Sequence, residues 1–173
     1  MKKILFLAVL LIMASTASAQ LLTSTTITKQ KAERKNHFAI EVGIGGITGD
    51  LDDGGLGVEL GLRDTYMFTP NVGWDILKIS AHTGTNHFTE LLNLQAKTGI
   101  RGVRPILFGN ATAYANFGCG YGYMTDFEKG GFAWEIGAGL NFTPNIALGA
   151  VYNSTRISGF DYGYVGGRVG FTF

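Results

Sequence analysis

Cysteine is almost missing from this chain. Cys119 is the single one, so no internal disulfide can form. Phe117 and Tyr121 share its face at strand spacing, which marks it as a small buried apolar residue rather than a nucleophile. Charge is scarce too: Asp, Glu, Lys and Arg make up 16% of the residues, against about 25–35% on an ordinary water-facing surface. A chain so poor in charge cannot coat itself for water. The formal net charge is only +1, which argues against nucleic-acid binding and against charge-driven adsorption to a membrane. Beyond the first residues there is no apolar run long enough to cross a bilayer as a helix. Glycine, in contrast, is plentiful at 26 residues, yet without the strict period of collagen.

What is present begins with Lys2 and Lys3, an unbroken apolar run from Ile4 to Ala14, and then "STASAQ". A short basic region, an apolar stretch and an A-x-A site predict a secretory signal peptide over 1–19, cleaved after Ala19. The segment 20–36 carries Lys29, Lys31, Arg34 and Lys35 and is expected to be a flexible periplasmic arm. The folded domain is expected over 37–173.

From His37 onward the dominant period is two, the period of a β-strand. In "GLGVELGLR", Leu56, Val58, Leu60 and Leu62 share one face, and Gly57, Glu59, Gly61 and Arg63 the other. "FAWEIGAGLNF" repeats the scheme, with Phe132, Trp134, Ile136, Leu140 and Phe142 opposite Glu135, Gly137, Gly139 and Asn141. Eight such segments are predicted, at about 37–48, 55–68, 71–83, 87–102, 110–124, 131–142, 145–157 and 162–173. Most exceed the usual strand of about 5–6 residues and reach the roughly 9–11 that a tilted strand needs to cross a bilayer. The third segment breaks phase: Val72, Trp74 and Ile76 lie on one face, but Leu77, Ile79 and Ala81 on the other. A bulge near Ile76 reconciles them. The tetrapeptide FTPN follows the second and the sixth segments, where Pro and Asn suit a tight turn. The connections after segments one, three, five and seven, "GDLDDGG", "HTGTNH", "TDFEKGG" and "SGFDYG", are polar. Tight turns at one end and polar loops at the other is the asymmetry of an outer-membrane barrel, so an all-β, eight-stranded antiparallel up-and-down transmembrane barrel is predicted.

Alternation alone leaves the orientation open, because a soluble barrel around an apolar ligand has the same period with its faces reversed. Bulk decides. Eight strands enclose room for modest side chains only, so the Leu, Phe and Trp face must point outward and the Gly, Ala, Asn and Thr face inward. Outward aromatics gather at two levels, as interfacial girdles do. Phe38, Phe68, Trp74, Phe142, Phe171 and Phe173 fall at the tight-turn end, and Phe88, Tyr121, Tyr123, Phe132 and Trp134 at the loop end. The small face carries Glu41, Glu59, Asp75 and Glu135 against Arg63, Lys97, Arg101 and Arg168. Enclosed charges need partners, and these are expected to form a balanced network that plugs the lumen, with Glu41 paired to Arg168 across the closing seam of the first and last strands.

The leader, the alternating strands, the FTPN turns and the terminal "GGRVGFTF" resemble the small outer-membrane β-barrel family of the type common in Bacteroidetes, related in architecture to the OmpX and OmpA barrel. The resemblance implies that Val169, Phe171 and Phe173 are the signal read by the barrel-assembly machinery. It also implies residence in the outer membrane of a Gram-negative cell, among lipid and lipopolysaccharide, with the amino terminus periplasmic. A monomer is expected, with no nucleic-acid partner and no cofactor. No OmpA-type peptidoglycan-binding domain follows the barrel, so cell-wall anchoring by that route is not expected.

The expected role is structural or surface-interacting, and no catalytic function is expected. A narrow pore or small-molecule transporter is the alternative. A third reading is a lipid A-modifying enzyme at the external rim, drawing on Ser80, His82, His87 and Glu90. No metal site is expected either; Asp50, Asp52, Asp53, His82 and His87 would sit on external loops, but their spacing matches no calcium loop. Asp and Gly favour such turns for conformational reasons alone.

Overall fold

The computed structural model describes residues 36–50, 55–84, 92–106 and 111–173. The signal peptide over 1–19 and the arm up to residue 35 lie outside the described residues, as do Asp52, Asp53, His87, Phe88 and Glu90. The strands are β1 (Asn36–Gly49), β2 (Leu56–Thr69), β3 (Val72–Gly84), β4 (Leu92–Pro105), β5 (Thr112–Met124), β6 (Lys129–Asn141), β7 (Ile146–Ile157) and β8 (Phe160–Thr172). Each pairs antiparallel with the next, and β8 returns to β1, closing the barrel. The seam sets Val42 opposite Val169, and the Phe173 amide donates to the Phe38 carbonyl at 2.9 Å. Every strand therefore has two neighbours, which removes the edges that would otherwise template aggregation.

Alternation sorts the side chains as bulk requires. Val42, Ile44, Trp74, Ile100, Phe117, Phe132, Ile136 and Phe171 are exposed on the outer face, while Glu41, Glu59, Lys97, Glu135 and Arg168 are buried inside. Glycine makes the interior wide enough for its larger occupants. A Cβ on Gly57 would sit 3.1 Å from the Tyr164 ring, and one on Gly43 would sit 3.0 Å from Glu59 Oε2 and the Tyr164 hydroxyl. Cys119 is half-buried on the outer face between Phe117 and Tyr121, not in an interior core.

β3 carries the irregularity expected near Ile76. Its register to β2 shifts between the Asp64 and Thr65 partners, and its register to β4 shifts between Asp75 and Lys78. Ile76 and Leu77 are consecutive and both face outward, 41% and 47% exposed. One extra residue reverses the parity of everything after it. Lys78, Ser80 and His82 consequently point into the barrel and are buried.

The FTPN turns owe their shape to threonine as much as to proline. Thr69 Oγ1 accepts from the amides of Asn71 and Val72 at 3.3 and 3.0 Å, and Thr143 Oγ1 accepts from Asn145 and Ile146 at 3.2 and 3.0 Å. The hydroxyl holds amides that a two-residue reversal leaves outside the ladder. Thr143→Ala is expected to cost about 1 kcal/mol, seen as a lower urea midpoint at unchanged slope, with Thr143→Ser recovering most of it.

At the opposite end the hairpins run further than the alternation indicates. β8 begins at Phe160 rather than at residue 162, paired directly to Ile157 across Ser158 and Gly159. Gly159 has φ 78°, the left-handed region that glycine enters without a Cβ clash. Arg156 Nε and Nη2 donate to the Asp161 carboxylate at 3.1 and 3.3 Å, lacing the hairpin beyond the expected boundary. β6 likewise starts at Lys129, whereas β4 runs from Leu92 on to Pro105, and residues 87–91 of the expected fourth segment lie outside the described residues.

Candidate functional site: the barrel lumen

The inward faces build three layers. At the loop end, Ile47, Met124, Val151, Ile157, Tyr162 and Tyr164 form a buried apolar cluster. His82 packs against it, its ring tilted and 5.0 Å from that of Tyr164 and 6.3 Å from that of Tyr162. His82 Nε2 lies 3.5 Å from Glu59 Oε1, which ties the cluster to the layer below.

The middle layer is a charge network with Arg168 and Glu135 at its centre. Arg168 Nη2 and Nε donate to the two Glu59 oxygens at 2.5 and 3.1 Å, the two-pronged geometry a guanidinium offers a carboxylate. Its Nη1 lies 3.0 Å from Glu135 Oε1 and 3.3 Å from Glu41 Oε2, so one cation serves three glutamates. Glu135 in turn accepts from Lys78 at 2.5 Å, Lys97 at 2.8 Å and the Asn116 amide at 2.8 Å. Lys97 also donates to Gln95 at 2.5 Å and to Asn153. Glu41 bridges to Lys78 at 2.8 Å and to Arg63 at 3.0 Å, and Arg63 reaches Asp75 at 3.7 Å. Burial this deep makes each partner necessary, because an unpaired ion loses its hydration with nothing in return.

The third layer lies at the turn end. Here a cavity of about 240 Å³ is lined among others by Arg63, Thr65, Met67, Arg101, Thr112 and Asn141. Arg101 sits over Tyr114, its Cζ 3.9 Å from the ring centre, and Nη2 reaches Asn141 Oδ1 at 3.4 Å.

The eight lumen residues expected from alternation, Glu41, Glu59, Arg63, Asp75, Lys97, Arg101, Glu135 and Arg168, all lie inside at 7% exposure or less. Lys78 belongs with them and was missed; the parity switch at the bulge was the available signal. It makes five cations against four carboxylates, so the charges of this face do not balance, leaving His82 aside. Asn116 and Asn153 were also missed, since a neutral amide gives no charge signal in an alternating strand.

Many of the outer-face aromatics fall near the strand ends, although Phe117 is exposed at the middle of β5. Phe68 and Trp74 stack at 6.4 Å with Tyr66 edge-on to Phe68, and Trp74 Nε1 donates to Thr98 at 2.7 Å. At the loop end Tyr121, Tyr123 and Phe132 are exposed, and Trp134 packs on Tyr152 at 5.2 Å. Phe142, Phe171 and Phe173 are exposed at the turn end, whereas Phe38 and Val169 are half-buried.

Of the residues weighed for a rim-sited catalyst or a loop metal, only Ser80, His82 and Asp50 are among the described residues. Ser80 and His82 face the lumen, not an external loop, because the β3 bulge reversed their side. Asp50 instead caps the loop end, its carboxylate accepting from the Asp161 amide at 2.8 Å. Among the described residues no group of His, Cys, Asp and Glu is placed to hold a metal.

Solved structures share this barrel. The Neisserial surface protein A, NspA, is similar with TM-score 0.62 at 10% identity, covering 80% of this chain and 97% of that one. The outer membrane enzyme PagL is similar with TM-score 0.60 at 12% identity, covering 77% and 98%. Ail, the attachment invasion locus protein of Yersinia pestis, gives TM-score 0.51 at 19% identity, covering 80% and 97%. A search of curated protein sequences finds no match. The presence of PagL overturns the expectation that catalysis is excluded: the same architecture houses an enzyme. The family described as "Outer membrane protein beta-barrel domain" matches residues 4–173. With the closed antiparallel barrel and its apolar outer belt, that match identifies the chain as a member of the outer-membrane β-barrel family.

Proposed function

We propose that this protein is a plugged barrel of the Gram-negative outer membrane with a structural or surface-interacting role. The observation that carries the reading is the density of the lumen. Nine charged side chains from β1, β2, β3, β4, β6 and β8 are buried there, and the apolar cluster around Tyr162 and Tyr164 lies above them at the loop end. Eight strands leave little width to begin with, and cross-linked ions fill it.

In this reading the outer belt contacts lipid, with lipopolysaccharide at the loop end. The amino terminus and the FTPN turns face the periplasm after the signal peptide is removed. Val169, Phe171 and Phe173 on the closing strand are the feature recognised by the assembly machinery, and the finished barrel is a monomer. Short hairpins such as Ile157–Phe160 suit contact with envelope or host components close to the membrane, not a large projecting adhesin.

Planar-bilayer recording tests the plug. The purified protein is expected to give no discrete conductance steps. Steady, ion-selective openings would instead make it a narrow pore or transporter.

A further inference from the structure

We propose that the cavity at the turn end of the lumen is a binding site for a small soluble oxyanion, a carboxylate or phosphate group, held by Arg101. The inference starts from the pairing pattern. Glu41 is engaged by Arg63, Lys78 and Arg168, Glu59 by Arg168, Asp75 by Arg63, and Glu135 by Lys78, Lys97 and Arg168. Every interior carboxylate among the described residues is thus taken by a cation other than Arg101.

Arg101 is nevertheless only 7% exposed. Its guanidinium contacts the Tyr114 ring and, at 3.4 Å, the Asn141 carbonyl oxygen, both of them uncharged partners. A buried guanidinium held this way keeps most of its donors available, with Asp75 and Glu41 acting on its charge only from beyond ion-pair distance. The Tyr114 ring supports it from one side, and no donor other than Nη2 is engaged by a hydrogen bond among the described residues.

The surroundings supply both space and a second donor. The cavity beside Arg101 measures about 240 Å³, room for about eight waters at roughly 30 Å³ each or for a small organic acid. Asn141 Nδ2 donates to Thr112 Oγ1 at 2.8 Å, so the Thr112 hydroxyl, already accepting there, has its own proton to donate. Both Arg101 and Thr112 line the cavity. A fork of parallel N–H groups beside a hydroxyl suits an oxyanion better than a spherical halide. The walls are inward-facing side chains, and the lipid-facing surface lies on the other side of the strands, so the ligand enters from solution.

The test uses the whole protein folded in a phosphate-free detergent, titrated with inorganic phosphate and separately with acetate at constant ionic strength set with sodium chloride. The readouts are the NMR signal of the Arg101 Nε–H and the urea unfolding midpoint. At least one of the two anions is expected to shift both saturably. Arg101→Met should weaken that binding at least tenfold, and Arg101→Lys, which keeps the charge but loses the fork, should fall between. Arg101 has no carboxylate partner, so the methionine orphans no acid. Should that variant nonetheless fail to refold, Thr112→Val serves instead, with an expected several-fold loss. No saturable shift with either anion in the unaltered protein, or undiminished binding in the variants, would overturn the site. Binding is read independently of conductance, so the plug can fail while this site stands, and the reverse.

Discussion

Replacing Arg168 with methionine is expected to destabilise the refolded barrel by about 3–5 kcal/mol. The loss is large because the guanidinium is shared by Glu41, Glu59 and Glu135, all buried. Lys78 and Arg63 would still reach Glu41, and Lys78 and Lys97 would still reach Glu135. Among the described residues Glu59 would retain only His82 within ion-pair distance, at 3.5 Å. The control is Arg156→Met, which breaks the Arg156–Asp161 pair whose side chains are 77% and 47% exposed. Exposed pairs contribute about 0–1 kcal/mol. Urea unfolding in lipid vesicles, followed by the fluorescence of Trp74 and Trp134, compares the two directly. Equal losses would mean that the interior network contributes little to stability. Adding Glu59→Leu to Arg168→Met should recover part of the loss, because it removes the orphaned acid along with its partner.

Ile136→Lys is the second large effect, at about 2–4 kcal/mol in a bilayer. Ile136 is 53% exposed near the middle of β6, where a membrane barrel presents hydrocarbon to lipid tails. The same change at Phe142, at the strand's end, should cost only about 0–1 kcal/mol, because a lysine there reaches the interface. On a water-soluble barrel both substitutions would fall within about 0.5 kcal/mol of neutral. Depth dependence is therefore the signature, and its absence in vesicles would reverse the assignment of the outer face.

The alternation in "GLGVELGLR" and "FAWEIGAGLNF" was enough to identify strands, their number and the sorting of bulky from small faces, since a period of two has one physical meaning. Even the bulge was legible, because Ile76 and Leu77 are adjacent apolar residues in a chain that otherwise alternates. Its consequence was harder to follow. Once parity reverses, Lys78 joins the interior and His82 leaves the rim, and each changes the chemistry inferred. The hairpin ends were misplaced for another reason: Asp161 and Gly159 look like loop residues, yet a cross-strand pair with Arg156 keeps them in the ladder.

Local pattern by itself determined that the chain is an eight-stranded barrel with a bulky apolar exterior, because covalent geometry alone sets which side chains share a face. Partnership was decided only by closure. Arg168 meets Glu59 and Glu135 from strands distant in the chain, whereas Glu41, across the seam, is one partner of three. Arg101 is left over because five cations crowd a space with four acids. Spacing along a strand says which way a side chain points; only the shape of the enclosed volume says what it finds there.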